Sequence, residues 1–345
     1  MRFGGWEPMA ATQNTSLAVI GAGISGLTAA RQCQNAGLAV TVYDKGRGVG
    51  GRCATRRRDD LAFDHGAQLI GASDGDFRGV LRKWMIATAA QRWKGRFQGL
   101  PAGITPFVGA PGMSALPKQL AQGLNVYLPV EITEIVPQPD GQWSLVDGEG
   151  RLLGTYDAVL LTCPPAQAER LAGGFLGEAF DRPVRMRAVW TVMVAFQRPL
   201  AAALDGLVLD GEPLEWAARN NSKPQREERP ESWVLHASAD ISETFINHPR
   251  EDVIGDLLAA FEYEMNEPLP PQIDASAHRW LYANAEPTEA AVPSSGEPGL
   301  FDPETALALA GDWLNPPVSK FYGIQSAWQS GMDVSRRLSA WAKAR

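Results

Sequence analysis

The stretch LAVIGAGISGLTAARQCQNAGLAVTVYD, residues 17–44, decides the fold. A short apolar run at 17–20 enters the turn GAGISG, and residues 27–34 follow with apolar side chains at helical spacing. After Gly37, which is placed to end the helix, a second apolar run at 39–43 leads to Asp44. Two strands joined by a helix predict a right-handed βαβ unit in a parallel, doubly wound sheet, with a ligand at the carboxyl ends of the strands.

The GxGxxG spacing in this unit is typical of a dinucleotide site. Gly21 permits a tight turn, Gly23 lets the backbone approach a pyrophosphate, and Gly26 allows the helix to pack on the strand. Asp44 is placed to accept hydrogen bonds from ribose hydroxyls, and its carboxylate disfavours a 2′-phosphate, so we predict FAD or NAD rather than NADP. The predicted contacts in this unit are Gly21, Ala22, Gly23, Ile24, Ser25, Gly26, Asp44 and Lys45.

A second glycine-rich turn favours FAD over NAD. Residues 48–52 read GVGGR, so Gly50, Gly51 and Arg52 offer backbone amides and a cation for further pyrophosphate contacts; a flexible surface loop is the alternative. Near the C-terminus, Gly311 and Asp312 follow a short apolar run and precede a helical pattern, where they can hold a ribityl chain or a phosphate. A plain NAD-dependent dehydrogenase has no need of the second turn, so we expect FAD.

Composition bounds the class of protein. The chain has 345 residues, which predicts about two domains, and its formal charge of −7 gives no overall positive field for nucleic acid. It has no stretch of about 18 apolar residues that would cross a bilayer. The 3 cysteines are far apart and lack zinc spacing, which predicts free thiols, no metal site and a cytoplasmic protein. The oligomeric state stays open.

The remaining chain predicts a second domain interleaved with the first. Residues 75–96 read as a helix, alternating runs at 126–161 read as a β-meander that returns to a buried strand at 158–162, and runs between 180 and 290 read as an antiparallel sheet with helices on one face. We therefore predict an α/β fold with a Rossmann-like FAD domain and a mixed, antiparallel-sheet substrate domain. The predicted order is FAD domain 15–75, substrate domain 76–115, FAD domain 116–175, substrate domain 176–295 and FAD domain 296–345.

Several longer stretches carry a family resemblance. They are DKGRGVGGRCATRR, FDHGAQLIGASDGDFRGVLRKW, VGAPGMSALPKQLAQGLNV, SWVLHAS, HRWLYA, and GDW followed by QSAWQSG, in that order. Together they resemble the renalase family, within the flavin amine oxidase superfamily. The resemblance implies a glutathione-reductase-like FAD domain with p-hydroxybenzoate-hydroxylase-like topology and non-covalent FAD. It also implies oxidation of isomeric dihydronicotinamides, 2- or 6-dihydro-NAD(P), to NAD(P)+, with dioxygen reduced to hydrogen peroxide.

The resemblance also implies roles for single residues. It places Gly66, Ala67 and Gln68 beside the isoalloxazine, where a glycine avoids a Cβ clash with the ring. It places the Val130 backbone at the adenine, Gly311 and Asp312 at the ribityl and phosphate portion, and Ile324 and Gln325 at the pyrimidine side of the flavin. The chain departs from the family after GAQ, where it has LIGAS, and in an additional segment NPPVSKFY at 315–322. Both departures fall near the expected substrate pocket.

The candidate catalytic residues are Gln68 and His236. His236 is interpreted equally as a pocket residue or a core histidine, and residues 219–224 as a pocket-mouth loop or a surface loop. Hydride transfer to a flavin needs position more than acid–base help, so the absence of an obvious base is consistent with dihydronicotinamide oxidation. The expected partners are a small molecule, either a dihydronicotinamide dinucleotide or an amine, and dioxygen. The alternatives are an amine oxidase with two aromatic rings facing the flavin, or a non-catalytic FAD-binding protein.

Overall fold

Two six-stranded sheets and a three-stranded meander organise the chain. The computed structural model describes residues 14–180, 185–211, 213–286 and 297–345. The strands are β1 Ser16–Ile20, β2 Ala39–Tyr43, β3 Arg56–Arg58, β4 Leu61–Phe63, β5 Ala90–Arg92, β6 Phe97–Gln98, β7 Phe107–Gly109, β8 Asn125–Tyr127, β9 Ile132–Pro137, β10 Trp143–Asp147, β11 Leu152–Tyr156, β12 Ala158–Leu161, β13 Arg185–Phe196, β14 Gly206–Val208, β15 Leu214–Arg219, β16 Glu231–Ala237, β17 Gln272–Glu286, β18 Leu300–Asp302 and β19 Leu307–Leu309. The helices are α1 Ile24–Asn35, α2 Gly75–Ile86, α3 Ala115–Ala121, α4 Pro165–Ala172, α5 Gly177–Phe180, α6 Ala239–Thr244, α7 Arg250–Met265 and α8 Gly323–Lys343.

The first sheet has the strand order β18-β19-β12-β1-β2-β8. The strands β8, β2, β1, β12 and β19 run parallel, and the edge strand β18 pairs antiparallel with β19. The predicted βαβ unit is therefore confirmed, with β1 and β2 as neighbours on either side of α1 in the chain. The fold class is confirmed as well, since a Rossmann-like sheet and a second, mixed sheet are both present.

The strand β1 is buried on both faces. Leu17, Ala18 and Val19 are fully buried, and they belong to two different apolar clusters. One cluster includes residues of α1 and α8, and the other includes residues of the meander β9-β10-β11. A parallel strand that is covered on both faces has a continuous apolar sequence, which explains the run at 17–20.

The second sheet has the order β17-β13-β16-β15-β14-β6, antiparallel except for the pair β14 and β6. Cross-strand partners share a face, so His278, Thr191, His236 and Trp216 form one row across β17, β13, β16 and β15. The residues at odd steps from this row lie on the opposite face and pack on α7. The row with the two histidines is therefore available to line a site.

One predicted helix is shorter in the structure. Residues 75–96 were expected to be helical, but α2 ends at Ile86, Thr88 has a positive φ of 58°, and β5 begins at Ala90. Trp84 and Trp93 are both buried in one apolar cluster, as tryptophans in a core would be. They reach that cluster from a helix and from the end of a strand rather than from a single helix.

The five-segment domain division stays a prediction, and its boundary at 295/296 lies outside the described residues. Within the described ranges, no helix is long and apolar enough to cross a membrane. The same part of the chain contains no cluster of at least 3 histidine, cysteine or acidic side chains that could hold a metal ion.

Candidate functional site

A cavity of about 840 Å³ lies at the carboxyl ends of β1, β2, β12 and β19. It extends from these strand ends to the second sheet and to the segment before α8. Its volume is in the range that cofactor and substrate sites occupy. All but three of the predicted contact residues line it: Gly21, Gly23, Ile24, Ser25, Asp44, Lys45, Gly50, Gly51, Arg52, Gly66, Ala67, Gln68, Val130, Gly311, Asp312 and Ile324.

The turn between β1 and α1 needs its glycines for different reasons. Gly21 has a φ of 117°, and a Cβ on Gly26 would lie 2.1 Å from the Gly21 carbonyl oxygen, which excludes a side chain there. A Cβ on Gly23, by contrast, would meet no atom within 4 Å. Gly26 is thus required for packing and does not line the cavity, whereas Gly23 opens onto free space at the amino end of α1. Backbone amides at such an end bind anions.

Asp44 closes the same end of the cavity. Its two carboxylate oxygens accept hydrogen bonds from the Ala22 N–H at 2.7 Å and the Gly46 N–H at 2.6 Å. Ala22 therefore acts through Asp44 and does not line the cavity. The Val130 N–H donates to the Asp44 carbonyl at 2.8 Å, so the carbonyl is the polar backbone group that Val130 retains for a ligand. Lys45 pairs with Glu131 at 3.7 Å.

Arg52 is not a free cation. Its guanidinium makes two hydrogen bonds to the Asp312 carboxylate, at 2.7 and 2.6 Å, and a third to the Ala283 carbonyl at 2.9 Å. The sequence reading gave Arg52 and Asp312 separate roles toward the cofactor, and the structure instead joins them as a forked ion pair. The pair links the second glycine turn, the end of β19 and the strand β17 on one wall of the cavity.

Position 66 requires glycine for a different reason from the one that the resemblance implied. A Cβ on Gly66 would lie 2.0 Å from the Arg52 carbonyl oxygen and 3.3 Å from the Trp280 ring. The Ala67 N–H donates to the same Arg52 carbonyl at 2.9 Å. The protein backbone alone therefore demands glycine here, before any ring is considered.

Gln325 is turned away from the cavity, which corrects its predicted role. Its side-chain oxygen accepts hydrogen bonds from the N–H groups of Ser73 and Asp74, at 2.8 and 3.0 Å, just before α2. Ile324 lines the cavity, and Gln325 does not. Successive residues at a helix start point in different directions, so both cannot face one ring. Gln325 fixes the position of α2 against α8.

Gln68 and His236 meet at the second sheet. The Gln68 Nε2 lies 3.3 Å from the His236 Nε2, and it also donates to the carbonyls of Asp64 and Gly66, the latter at 3.0 Å. Burial, with Lys223 and His65 acting in the same direction, lowers the pKa of His236 to about 3. His236 is therefore a neutral imidazole, and it lines the cavity.

The sequence analysis missed a buried charge cluster behind Gln68. The Lys223 ammonium, fully buried, donates to the Gln68 Oε1 at 3.0 Å and to Asp64 at 3.4 Å, and Arg226 donates to Asp64 at 2.5 Å. Burial would raise the pKa of Asp64, but Lys223 and Arg226 lower it to about 2. The only signal in the sequence was the loop 219–224, which was interpreted equally as a surface loop.

Two further histidines lie beside the same wall. The ring of His65 is 5.0 Å from that of His278 and 4.9 Å from that of Trp280, whose Nε1 donates to the His65 carbonyl at 2.9 Å. Burial lowers the pKa of both imidazoles to about 4, with the neighbouring Arg56 adding to the effect. Both are neutral at physiological pH.

The cavity's substrate end is lined by paired charges. Glu215 on β15 accepts a contact from Lys320 at 2.5 Å, and Glu286 at the end of β17 lies 3.2 Å from Arg187. Trp216, Trp280 and Phe321 are the larger aromatic side chains there. Within the described ranges, this part of the cavity therefore offers apolar rings and the neutral His236 imidazole, and Glu215 is paired with Lys320. Glu286, by contrast, shares Arg185 and Arg187 with Glu243 and Asp240.

The donor set fits the FAD that the resemblance implies. An open glycine at the start of α1, a carboxylate at the end of β2 and backbone groups around 50–52 and 311–312 line one continuous cavity. These are the groups that a pyrophosphate, a ribose and a ribityl chain require. A dinucleotide held at β1 and β2 would have Gly66–Gln68 and Ile324 available to border its ring, since these residues line the same cavity.

Comparison with known proteins gives two family matches. Residues 19–84 match the family described as NAD(P)-binding Rossmann-like domain, and residues 87–339 match the family described as Flavin containing amine oxidoreductase. A 4,4′-diapophytoene desaturase of Staphylococcus aureus (strain Newman) is 40% identical over 58 residues, which are 17% of this chain and 12% of that protein.

Two solved structures share the fold. One is a protein assigned as a protoporphyrinogen oxidase from Exiguobacterium sp. 255-15, with a TM-score of 0.71 and 14% identity, covering 96% of this chain and all of that one. The other is a putrescine oxidase bound to putrescine, with a TM-score of 0.68 and 13% identity, covering 95% of this chain and 99% of that one. At these identities the likeness concerns the fold alone.

Proposed function

The chain belongs to the flavin-containing amine oxidoreductases, and from that premise we propose that this FAD-dependent oxidoreductase takes a hydride from an isomeric dihydronicotinamide, 2- or 6-dihydro-NAD(P). When bound, FAD accepts the hydride and passes the electrons to dioxygen, which becomes hydrogen peroxide. The ordered stretches that resemble the renalase family support this substrate class. The side chains at the substrate end of the cavity give further support to the proposal.

The residues that would hold FAD divide by portion of the cofactor. The α1 amides beside Gly23 would bind the pyrophosphate, Asp44 the adenosine ribose, and the turn at 50–52 would add backbone contacts. Gln68 and Ile324 would border the ring. These side chains bind and orient, and none is required to donate or accept a proton.

The observation that carries the proposal is that the described residues at the substrate end include no usable base. His236 has a pKa of about 3, mainly because of burial, so it is too weak a base to deprotonate an alkylammonium ion. Glu215 is already paired with Lys320. The cavity thiols Cys53 and Cys163 stay protonated, because burial raises the pKa of each to about 12. A dihydropyridine needs none of these groups, since it leaves as an aromatic cation once its hydride is lost.

Amine oxidation is the second candidate function. The family match and the fold shared with a putrescine oxidase favour it, and so do the aromatic rings of Trp216 and Phe321, 6.3 Å apart at the substrate end. A protonated amine, however, would find Glu215, the carboxylate that precedes Trp216 in the chain, already paired with Lys320. Such a substrate would have to enter as the neutral amine.

Anaerobic flavin bleaching tests the proposal. The purified yellow protein would be mixed with 2- or 6-dihydro-NAD(P), with pure NADH and with benzylamine, while flavin absorbance is followed. We expect rapid bleaching by the isomers only, at a rate constant that is flat between pH 5 and 7, because His236 in the cavity has a pKa of about 3 and the nearby His65 and His278 have pKa values of about 4. Bleaching by benzylamine with a rate that rises about tenfold per pH unit would instead establish the amine reading, because the neutral amine fraction grows in that way.

A further inference from the structure

The buried cluster behind Gln68 carries uncompensated charge. The side chains of Lys223 and Asp64 are fully buried, and that of Arg226 is 5% exposed. Two cations therefore share one carboxylate, so the cluster holds a net positive charge out of contact with water. The other hydrogen bonds that the Asp64 carboxylate accepts come from neutral donors, the Thr55 hydroxyl at 2.8 Å and the Met113 N–H at 2.9 Å. A buried charge without a counter-charge is costly, so its retention calls for a reason.

The environment of Lys223 adds no second anion. Its ammonium lies 5.4 Å above the Trp93 ring, which is a cation–π distance and stabilises the charge without neutralising it. Asp64 and Arg226 are the charged groups that act on Lys223. His236 is the neighbouring titratable group on β16, and it is in turn affected by His65 and by Lys320, which is paired with Glu215. Both imidazoles are neutral and the Lys320–Glu215 pair is compensated, so within the described residues the excess charge on this wall belongs to Lys223 and Arg226.

The charge is one side chain away from the cavity. Lys223 does not line the cavity, but it donates to the Gln68 Oε1 at 3.0 Å, and Gln68 does. An ammonium can only donate, and two carbonyls occupy the other edge of the amide, so the orientation of Gln68 is fixed with its oxygen toward Lys223. The Gln68 amide therefore lies between the buried ammonium and His236, which lines the cavity.

We propose that Lys223 is a positioning residue that raises the reduction potential of the bound flavin by keeping a net positive charge behind Gln68. Two-electron reduction with uptake of one proton leaves the flavin ring negatively charged. A fixed positive charge in a water-free wall stabilises that form over the neutral oxidised ring. This inference goes beyond the proposed function, because it applies whichever molecule supplies the hydride.

The charge on Lys223 also titrates near physiological pH. Burial lowers the pKa of Lys223 to about 8, against the opposing effect of Asp64. The nearby groups titrate far from this value: His65 has a pKa of about 4, His236 of about 3 and Cys53 of about 12. The stabilisation of reduced flavin should therefore fade as the pH rises through about 8, when the cluster becomes neutral.

Reduction potentials of the substrate-free holoenzyme test this. Lys223→Met, Lys223→Arg and, as a matched control, Lys94→Met at an exposed lysine would be equilibrated with a redox dye of known potential. At pH 7 we expect the ratio of reduced to oxidised flavin in Lys223→Met to fall roughly tenfold, the size expected for one unit charge acting over about 12 Å at an effective dielectric of about 20. Lys94→Met and Lys223→Arg should match the wild type.

The pH profile separates an electrostatic role from a structural one. The gap between wild type and Lys223→Met should close above about pH 9, since the wild-type lysine is then as uncharged as the methionine. Lys223→Arg should keep the higher potential there, because arginine stays charged. Subtracting the pH profile of a variant from that of the wild type removes the pH dependence that comes from the flavin's own ionisation, since it is common to both. An unchanged ratio in Lys223→Met, or a gap that persists at every pH, would overturn the proposal. If Lys223→Met fails to hold FAD, identical wild-type and Lys223→Arg profiles from pH 7 to 10 would overturn it equally. Because no substrate is used, neither result bears on the hydride donor.

Discussion

We expect Gly23→Ala to weaken flavin binding while the free protein keeps its stability. A Cβ at this position would meet no protein atom within 4 Å, and the residue has φ −79° and ψ −177°, which alanine adopts without strain. The methyl group would instead project into the open space at the amino end of α1, where the pyrophosphate must approach. The perturbation is therefore confined to the ligand.

Gly26→Ala is the matched control, because its Cβ would be 2.1 Å from the Gly21 oxygen and 2.6 Å from the Thr162 hydroxyl, inside the packed turn. Overpacking of this kind costs about 1–3 kcal/mol of folding stability or more. For Gly23→Ala the free protein should change by less than about 1 kcal/mol, since the backbone is compatible with alanine. If the same 1–3 kcal/mol falls on the cofactor contact instead, flavin affinity drops by roughly ten- to hundredfold.

Two measurements separate these outcomes. Urea unfolding of the flavin-free variants gives the folding free energy, and quenching of flavin fluorescence during titration gives the dissociation constant. Gly23→Ala should lose affinity with wild-type unfolding, and Gly26→Ala should lose stability. Wild-type flavin affinity in Gly23→Ala, or a stability loss equal to that of Gly26→Ala, would refute the assignment of this end of the cavity to the pyrophosphate.

Three further outcomes are expected. Lys320→Met frees the Glu215 carboxylate from its 2.5 Å partner, so alkylamines should bind several-fold more tightly in equilibrium titrations, and unchanged binding would contradict the electrostatic argument. Asp312→Asn leaves Arg52 without its carboxylate and should cost about 1–2 kcal/mol in thermal stability, reduced by the exposure of Arg52 to the cavity, with poorer flavin retention. Because burial lowers the pKa of His236 to about 3, only the unfolded chain takes up that proton below pH 6.5, so stability is lost as the pH falls from 6.5 toward 3. Urea unfolding of His236→Asn should show a flatter pH profile in that window.

The first domain could be predicted because its signals are local. Residues 17–44 hold a strand, a turn that needs glycine, a helix and a second strand, and each part is determined by neighbours within a few positions. The helix limits were less certain where the chain turns through unusual dihedral angles, as at Thr88, whose positive φ follows α2. The spacing of hydrophobic residues carries no information about a single backbone angle, so the predicted helix extended beyond the true end of α2 at Ile86.

The site residues that failed or were missed depend on contacts between distant parts of the chain. Gln325 is used by backbone groups 251 and 252 positions earlier, and no pattern around it reveals that partner. Lys223 meets Asp64 across 159 positions. A lysine between serine and proline resembles a solvated loop, and only the fold brings the carboxylate that allows it to be buried. Arg52 appeared to be free for the same reason, since its partner Asp312 lies at the other end of the chain.

The charges around the cavity connect the two proposals. Beside the Trp216 and Phe321 rings, Glu215 and Lys320 compensate each other's charge. The excess charge lies behind Gln68 and is positive. Such a wall attracts the negative charge that the ring gains on reduction, and it repels a protonated amine that approaches the same ring. A neutral dihydropyridine gains the first effect and avoids the second, so the same buried lysine that favours reduction of the flavin also disfavours a cationic substrate.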